Sequence, residues 1–507
     1  MEKITIDEII EACDGKLLQG DLNTQIDKIS TDTRTLEKGA LFIALKGKNF
    51  DGHNFLEECL NKGAVGAIIS DEISDRLNTR FELLIPNAKF QHPMEIVDTT
   101  GRNLILIKVS DTLIALQDIA RYYRNKFSNL KVIGITGSNG KTTTKEITAE
   151  VLSVKFKTFK SAGNLNNEIG LPLNLLELSN EYKAGVFELG ANDFGEIKLL
   201  ADILTPQIAV ITNIGNTHLE LLKDINGVGK LKWELIDSLG EGSFAILNFD
   251  DLVLQEKLRQ CEKGELECKC KFLTYGLVEE NKPLPKNCGF SEKADVWATD
   301  IKLFGLEGSE FVLHYREFSK KIKLNIAGNY NIYNSLAAAA VGFALDLSID
   351  EVAKGLENFK NTLPNRMQII NVHGIRIIND TYNANLQSMI EAVKFLNKLN
   401  NCKRKILILG DMLELGEKSK DLHENLGEHI AKSSLDLLYT VGKDSEYIGF
   451  GAKENGFSEE NIFHFSQKKD LIEKIKDEFR EEDTIFIKGS RGMGMEEIVG
   501  FLKDKGE

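Results

Sequence analysis

The stretch GITGSNGKTTTKEI, residues 134–147, carries residue types that grip phosphate. Gly137, Ser138, Asn139, Gly140, Lys141, Thr142 and Thr143 offer backbone N–H groups left uncovered by glycine, a lysine for outer phosphates and hydroxyls for Mg²⁺. Leu130–Ile135 before them is apolar enough for a buried strand, and Ile147, Val151 and Leu152 after them are spaced as on a helix. The spacing departs from G-x-x-x-x-G-K-[ST], because Ile135 takes the place of the first glycine, and the alternative is an ordinary glycine turn before a helix.

A magnesium-dependent phosphate site needs further ligands where neighbouring strands end. Glu188 ends the run AGVFELG, and His218 follows IAVITNIGNTH; each could equally be a loop residue with no such role. Lys232 is the subtler candidate. In VGKLKWELIDSL the apolar stripe is Val228, Leu231, Leu235 and Leu239, and Lys232 lies on that side, four residues after Val228 and three before Leu235, whereas Lys230 faces outward toward Glu234. A buried lysine tends to lose its proton, and a neutral amine adds CO₂ to become a carbamate, an anionic oxygen ligand. The plainer reading is a lysine that snorkels its head into water.

These residues need strands and helices to hold them. Residues 1–109 alternate short strands (Ala40–Leu45, Ala67–Ser70) with helices, a small α/β module in which residues 81–105 look like an insertion. Residues 110–364 hold a helix (Leu113–Phe127), the phosphate loop and strands at Ala184–Leu189 and Ile208–Ile214, which predicts a mainly parallel sheet covered on both faces. Residues 253–295 read as a charged excursion from it. Residues 365–507 repeat the alternation, with strands at Ile375–Ile378, Lys405–Leu409, Leu437–Val441 and Thr484–Ile487 and an amphipathic helix over SMIEAVKFLNKL, which predicts a second doubly wound sheet. The fold class is therefore α/β, in three parts where the length of 507 residues allows about three or four domains.

Composition narrows the partners. A net charge of -14, from 63 Lys+Arg against 77 Asp+Glu, disfavours nucleic acid and anionic membrane, although Lys141, Lys488 and Arg491 in glycine-rich loops could still hold an anion locally. MEKITIDEII lacks the pattern of a secretory signal and no apolar run is long enough to span a bilayer, so a soluble cytoplasmic protein with no transmembrane segment is expected. Seven scattered cysteines suggest reduced thiols. Cys261, Cys268, Cys270 and Cys288 cluster without paired C-x-x-C knuckles, so free thiols on a surface insertion are expected in preference to zinc.

Taken in order, GITGSNGKTT, KSAGNLNNEIGLPL, ELG before TNIGNTHLE, GKLKWEL and AGNYNIYNSLAAAA resemble the Mur ligases of peptidoglycan synthesis across nearly the whole chain. NDTYNANLQSM, GDMLELG and KGSRGMGME are most similar to the members that add D-alanyl-D-alanine to UDP-N-acetylmuramoyl-tripeptide. The resemblance implies an N-terminal UDP-sugar-binding domain, a central P-loop ATPase and a C-terminal Rossmann-like domain. It implies an ATP-dependent, ADP-forming ligase working through an acyl phosphate in cell-wall biogenesis; a monomer is expected, although the sequence leaves the oligomeric state open. It places Lys141 and Thr142 on ATP phosphates, and Thr142, Glu188, His218 and a carbamylated Lys232 on Mg²⁺, with Lys141, His218 and Lys232 as the catalytic set. Asn334 would meet the adenine, Arg366 and Asp380 the nucleotide, and Thr33, Arg34 and Lys46 the UDP-muramoyl part. Asn379, Leu386 and Tyr330 depart from the family's usual aspartate, proline and histidine. A sibling ligase for another amino acid, a folylpolyglutamate-synthase-like enzyme and a catalytically silent nucleotide-binding scaffold are the alternatives.

Overall fold

Runs of Val, Ile, Leu and Ala that are apolar at every position need cover on both faces, and here they form strands with helices around them. In a computed structural model the described residues are 1–47, 50–71, 89–90, 96–97, 104–278, 294–400 and 402–504. The chain divides into two compact units: residues 1–134, 156–189 and 198–206, and residues 135–155, 190–197 and 207–507.

The first unit opens with helix α1 (Ile6–Cys13), started by a capping box in which Thr5 and Glu8 satisfy each other's backbone N–H groups. Strands β1 (Lys16–Gln19), β2 (Ile29–Ser30), β3 (Leu41–Ile43), β4 (Gly66–Ser70) and β5 (Ile105–Val109) form a sheet in the order β1-β5-β4-β3-β2. Helix α2 (Thr112–Asn125) begins at Asp111, whose carboxylate accepts from the N–H groups of Leu113 and Ile114. Near its end, buried Tyr123 donates its hydroxyl to Leu178 O (2.6 Å), and the Arg124 guanidinium donates to Leu204 O and Thr205 O. Those two side chains tie α2 to loops that end the unit's other elements.

The largest sheet contains β6 (Lys131–Thr136), β7 (Thr158–Lys160), β8 (Ala184–Glu188), β9 (Ile208–Ile211), β10 (Phe244–Asn248), β11 (Lys271–Leu277), β12 (Val296–Leu303), β13 (Ser309–Tyr315) and β14 (Phe318–Leu324), in the order β7-β8-β6-β9-β10-β11-β12-β13-β14. Strands β9 to β12 run parallel, and β13 and β14 add an antiparallel edge. Helices α3 (Lys141–Ser153), α4 (Leu219–Leu222), α5 (Ile225–Asp237), α6 (Leu252–Glu262) and α7 (Tyr330–Ala344) accompany it. The run Ala337–Ala340 in α7 is fully buried, and its small side chains let α7 lie close against α3.

The excursion expected over residues 253–295 starts later than its charge suggests. Residues 252–277 are α6 and β11, and β11 pairs in parallel with both β10 and β12, inside the sheet. Only Leu254 and Leu258 of α6 are buried, so its sequence looks like a solvated loop although it covers a strand. Residues 279–293, and most of the insertion expected at 81–105, lie outside the described residues. The expectation of free thiols also needs correction: Cys261 and Cys268 form a disulfide, because the turn from α6 back toward β11 brings their Cα atoms to 6.0 Å. Cys270 is a free thiol, and Cys288 lies outside the described residues.

The last sheet is β15 (Gln368–Val372), β16 (Ile375–Asp380), β17 (Arg404–Gly410), β18 (Leu437–Val441), β19 (Ile462–Phe465) and β20 (Asp483–Lys488), in the order β15-β16-β20-β17-β18-β19. All but β15 run parallel, as a doubly wound sheet requires. Helices α8 (Leu386–Lys398) and α9 (Ser419–Ala431) pack on one face through Met389, Val393, Leu396, Leu426 and Ile430. Among the described residues no helix is long and apolar enough to cross a membrane.

Candidate active site

Strand β6 delivers the chain into the loop Gly137–Gly140, and α3 starts at Lys141. Two glycines make this turn possible. Gly137 has φ +141° and a Cβ there would collide with Thr212 Oγ1; Gly140 has φ +82° and a Cβ would lie 2.5 Å from Asn334 Oδ1. The segment after β9 holds the loop from the other side. Asn213 accepts from Asn139 N–H at 3.0 Å and donates from Nδ2 to Asn139 O at 3.0 Å, clamping that residue's backbone with one amide. Thr212 Oγ1 donates to Asn139 O (2.6 Å), and Ser138 Oγ accepts from Gly215 N–H (2.8 Å). The loop's shape is thus held by the protein's own hydrogen bonds.

Asn334, buried on α7, accepts from Thr144 Oγ1 at 3.2 Å and donates to Asn331 Oδ1, so its side chain backs the first turn of α3. Thr142 is buried in that turn. The Lys141 ammonium donates to the carbonyls of Gly137 (2.7 Å) and Ser138 (3.3 Å), folded over the loop's own backbone.

Lys232 is inward, as its helical position predicts: it is 2% exposed and its Nζ donates to Ala191 O at 3.3 Å. Burial, reinforced by the positive charge of Lys141, pushes its pKa down to about 7, against the opposing pull of Glu196 and Glu234. Glu234 accepts from Gly195 N–H, on the outer side of the same helix. His218 sits immediately before α4 with φ +53°, and its Nδ1 meets Glu414 Oε2 at 2.6 Å. Glu188, at the end of β8 in the first unit, is buried and accepts from Asn166 Nδ2 at 2.8 Å.

The C-terminal sheet contributes residues that single-residue reading passed over. Asn385, the N-cap of α8, faces Asn139 in a reciprocal amide pair: Asn385 Nδ2 donates to Asn139 Oδ1 at 2.7 Å, and Asn139 Nδ2 donates to Asn385 Oδ1 at 3.3 Å. Asn213, Asn385 and Glu414 all lie in motifs visible in the sequence, but their partners are 74 or more residues away. Arg366 stacks on the Tyr382 ring at 3.7 Å, and Arg491 approaches that ring at 5.8 Å. Asp380 is engaged by Lys488 Nζ (2.5 Å) and by Met367 N–H, so Lys488 is held by a carboxylate and is not an open anion site. Asn379 donates to Asn365 Oδ1 and Gln368 Oε1 and accepts from Thr381; a carboxylate at this position has no hydrogen to donate and would need both partner amides turned over.

In the first unit Thr33 is buried and its carbonyl accepts from Lys62 Nζ, whereas Arg34 is exposed and paired bidentately with Asp32. Lys46 and Asp51 close a β-bridge, and Asp51 holds His53 Nδ1 at 2.6 Å while His53 Nε2 accepts from Ser70 N–H.

These residues suit a magnesium nucleotide. The glycine cradle has space only where side chains are missing, and the lysine in question is buried in a way that favours its neutral form. Among the described residues no three His, Cys, Asp or Glu side chains converge as a cage.

The chain matches known proteins along nearly its whole length. Three family models match: Mur ligase middle domain over residues 135–342, Mur ligase glutamate ligase domain over 365–491, and Mur ligase family catalytic domain over 25–124. The chain is 35% identical over 501 residues, 98% of each chain, to UDP-N-acetylmuramoyl-tripeptide--D-alanyl-D-alanine ligase of Bacillus subtilis (strain 168). It is similar to the crystal structure of MurF from Acinetobacter baumannii, with a TM-score of 0.82, 30% identity and 99% of each chain covered. It is also similar to MurF ligase from Thermotoga maritima in complex with ADP, with a TM-score of 0.74, 25% identity and 94% and 97% of the two chains covered. With a phosphate loop held by the protein's own hydrogen bonds, a buried lysine beside it and full-length similarity of this degree, the chain belongs to the Mur ligase family.

Proposed function

We infer that this chain is an ATP-dependent, ADP-forming ligase that joins D-alanyl-D-alanine to UDP-N-acetylmuramoyl-tripeptide, a cytoplasmic step of peptidoglycan precursor synthesis. The observation that carries this reading is the full-length similarity to ligases of that name, in a chain that keeps the phosphate loop with Lys141 and the buried Lys232. A sibling ligase or a silent scaffold has no comparable support.

An amide does not form from a carboxylate and an amine unless a carboxylate oxygen becomes a leaving group. The substrate carboxylate attacks the γ-phosphorus of ATP, the bond to the ADP oxygen breaks, and an acyl phosphate results. Lys141 exchanges its contacts to the Gly137 and Ser138 carbonyls for phosphate oxygens and neutralises their growing charge. The loop Gly137–Thr143 presents backbone N–H groups to the phosphates, and Asn334, Arg366 and Asp380 serve the nucleotide. The neutral dipeptide amine then attacks the acyl carbon, phosphate leaves, and a proton is lost from nitrogen. Thr142, Glu188, His218 and a carbamylated Lys232 would hold Mg²⁺, which would supply Lewis-acid neutralisation of the phosphoryl oxygens. Thr33, Arg34 and Lys46 serve the UDP-muramoyl moiety, and the three-domain division 1–109, 110–364 and 365–507 assigns one substrate class to each part of a monomer.

Phosphate release from Mg-ATP is measured with UDP-N-acetylmuramoyl-tripeptide, with and without D-alanyl-D-alanine, following product mass. The expected outcome is release that requires both substrates and a product heavier by the dipeptide less one water. Release only with a single amino acid in place of the dipeptide would identify a sibling ligase, and no release with any pair would identify a scaffold.

A further inference from the structure

The loop that follows β17 is fastened from behind. Asp411 accepts from three successive N–H groups, of Lys443, Asp444 and Ser445, at 2.7 to 3.1 Å. Met412 N–H donates to His423 Nε2, and Leu413 N–H donates to Ser490 Oγ. Met412 and Leu415 are buried, and Leu413 and Glu414 project between them. Glu414 has φ +64°, an uncommon region for a residue with a Cβ, and its partner His218 has φ +53°. Both ends of one side-chain contact therefore sit on backbone turned into an unfavourable conformation. Beside that contact, Lys418 Nζ donates to Lys223 O at 3.1 Å, a second tie between the same two loops.

We propose that Glu414 is a positioning residue for the ligase reaction: it receives the Nδ1 hydrogen of His218 and thereby leaves Nε2 as the ring nitrogen available to Mg²⁺. The proposal rests on the reading of His218 as a metal ligand. A neutral imidazole has one N–H and one lone pair, and a carboxylate on Nδ1 decides which nitrogen carries which. Carboxylates in this position orient metal-binding histidines and raise their basicity. Glu414 comes from the C-terminal sheet, whereas His218 lies beside the phosphate loop, so the metal ligand is oriented by a distant part of the chain.

The test labels the histidines of the full-length protein with ¹⁵N and assigns His218, one of eight, by its loss in His218→Gln. Mn²⁺ with ADP serves as the probe, its affinity read by electron paramagnetic resonance. Wild type is expected to show His218 protonated at Nδ1. Glu414→Asn, which tolerates the backbone angle but is too short to reach, is expected to lose that single form and to bind Mn²⁺ about tenfold more weakly. Glu414→Gln, which keeps an acceptor at full length, is expected to recover most of both. An unchanged His218 spectrum in Glu414→Asn overturns the positioning role even if His218→Gln weakens Mn²⁺. Unchanged Mn²⁺ affinity in His218→Gln overturns the ligand reading and, with it, the proposal. Thermal melting of each variant separates these results from misfolding.

Discussion

Lys141 lies across the carbonyls of Gly137 and Ser138, and on the proposed mechanism it trades these contacts for phosphate oxygens. Lys141→Ala is expected to abolish ADP formation, at least a thousandfold by analogy with the loss of other transition-state charge partners, with the melting temperature near wild type; normal turnover in a coupled ADP assay would remove the lysine from the chemistry. Lys232 differs in that its environment works against its own charge. With its pKa near 7, a large share of the amine is neutral at physiological pH and can react with CO₂. Lys232→Ala is expected to be inactive and to regain part of its turnover when short carboxylic acids are added, since a small carboxylate can occupy the place of the carbamate; full activity without additive would dispose of the carbamate. The place of Lys141 after the glycine loop was legible from a contiguous motif, and the burial of Lys232 from its helical phase. Asn213, Asn385 and Glu414 were not, because hydrogen bonds across 74 to 246 residues leave no local pattern.

At the scale of elements, the strand-helix alternation was readable because buried parallel strands are apolar at nearly every position, as β9 (IAVI) and β18 (LLYTV) are. Helix α6 and β11 were hidden by their charge, since one buries only Leu254 and Leu258 and the other starts from a lysine and a partly covered phenylalanine. The loop after β17 depends on a neutral histidine. His423 is buried on α9, accepts from Met412 N–H and donates from Nδ1 to Ser419 O (2.7 Å), and burial lowers its pKa. The unfolded chain therefore takes up this proton before the folded one does. Stability is expected to be full above pH about 6.5 and to fall as the pH drops from there toward the depressed folded value. The check is a series of urea melts between pH 7.5 and 5: the wild type should lose stability more steeply than His423→Gln, and equal slopes would show that His423 does not contribute.

Across the molecule, a small number of polar contacts connect the phosphate loop to the C-terminal sheet. Asn385 has two roles in this: its Oδ1 caps α8 through Ser388 N–H, and its amide pairs with Asn139. Asn385→Ala is expected to lose about 1 kcal/mol from the missing cap and to raise the KM for ATP a few-fold from the lost pairing. Asn385→Ser keeps a capping oxygen, so it should retain stability while its KM still rises; a wild-type KM in that variant would limit Asn385 to its helix. An amide pair also behaves unlike the ion pairs elsewhere on the surface. Neither partner titrates, and neither carries a net charge for counterions to screen. This one link between the loop and the C-terminal sheet should therefore hold its strength when ionic strength or pH changes.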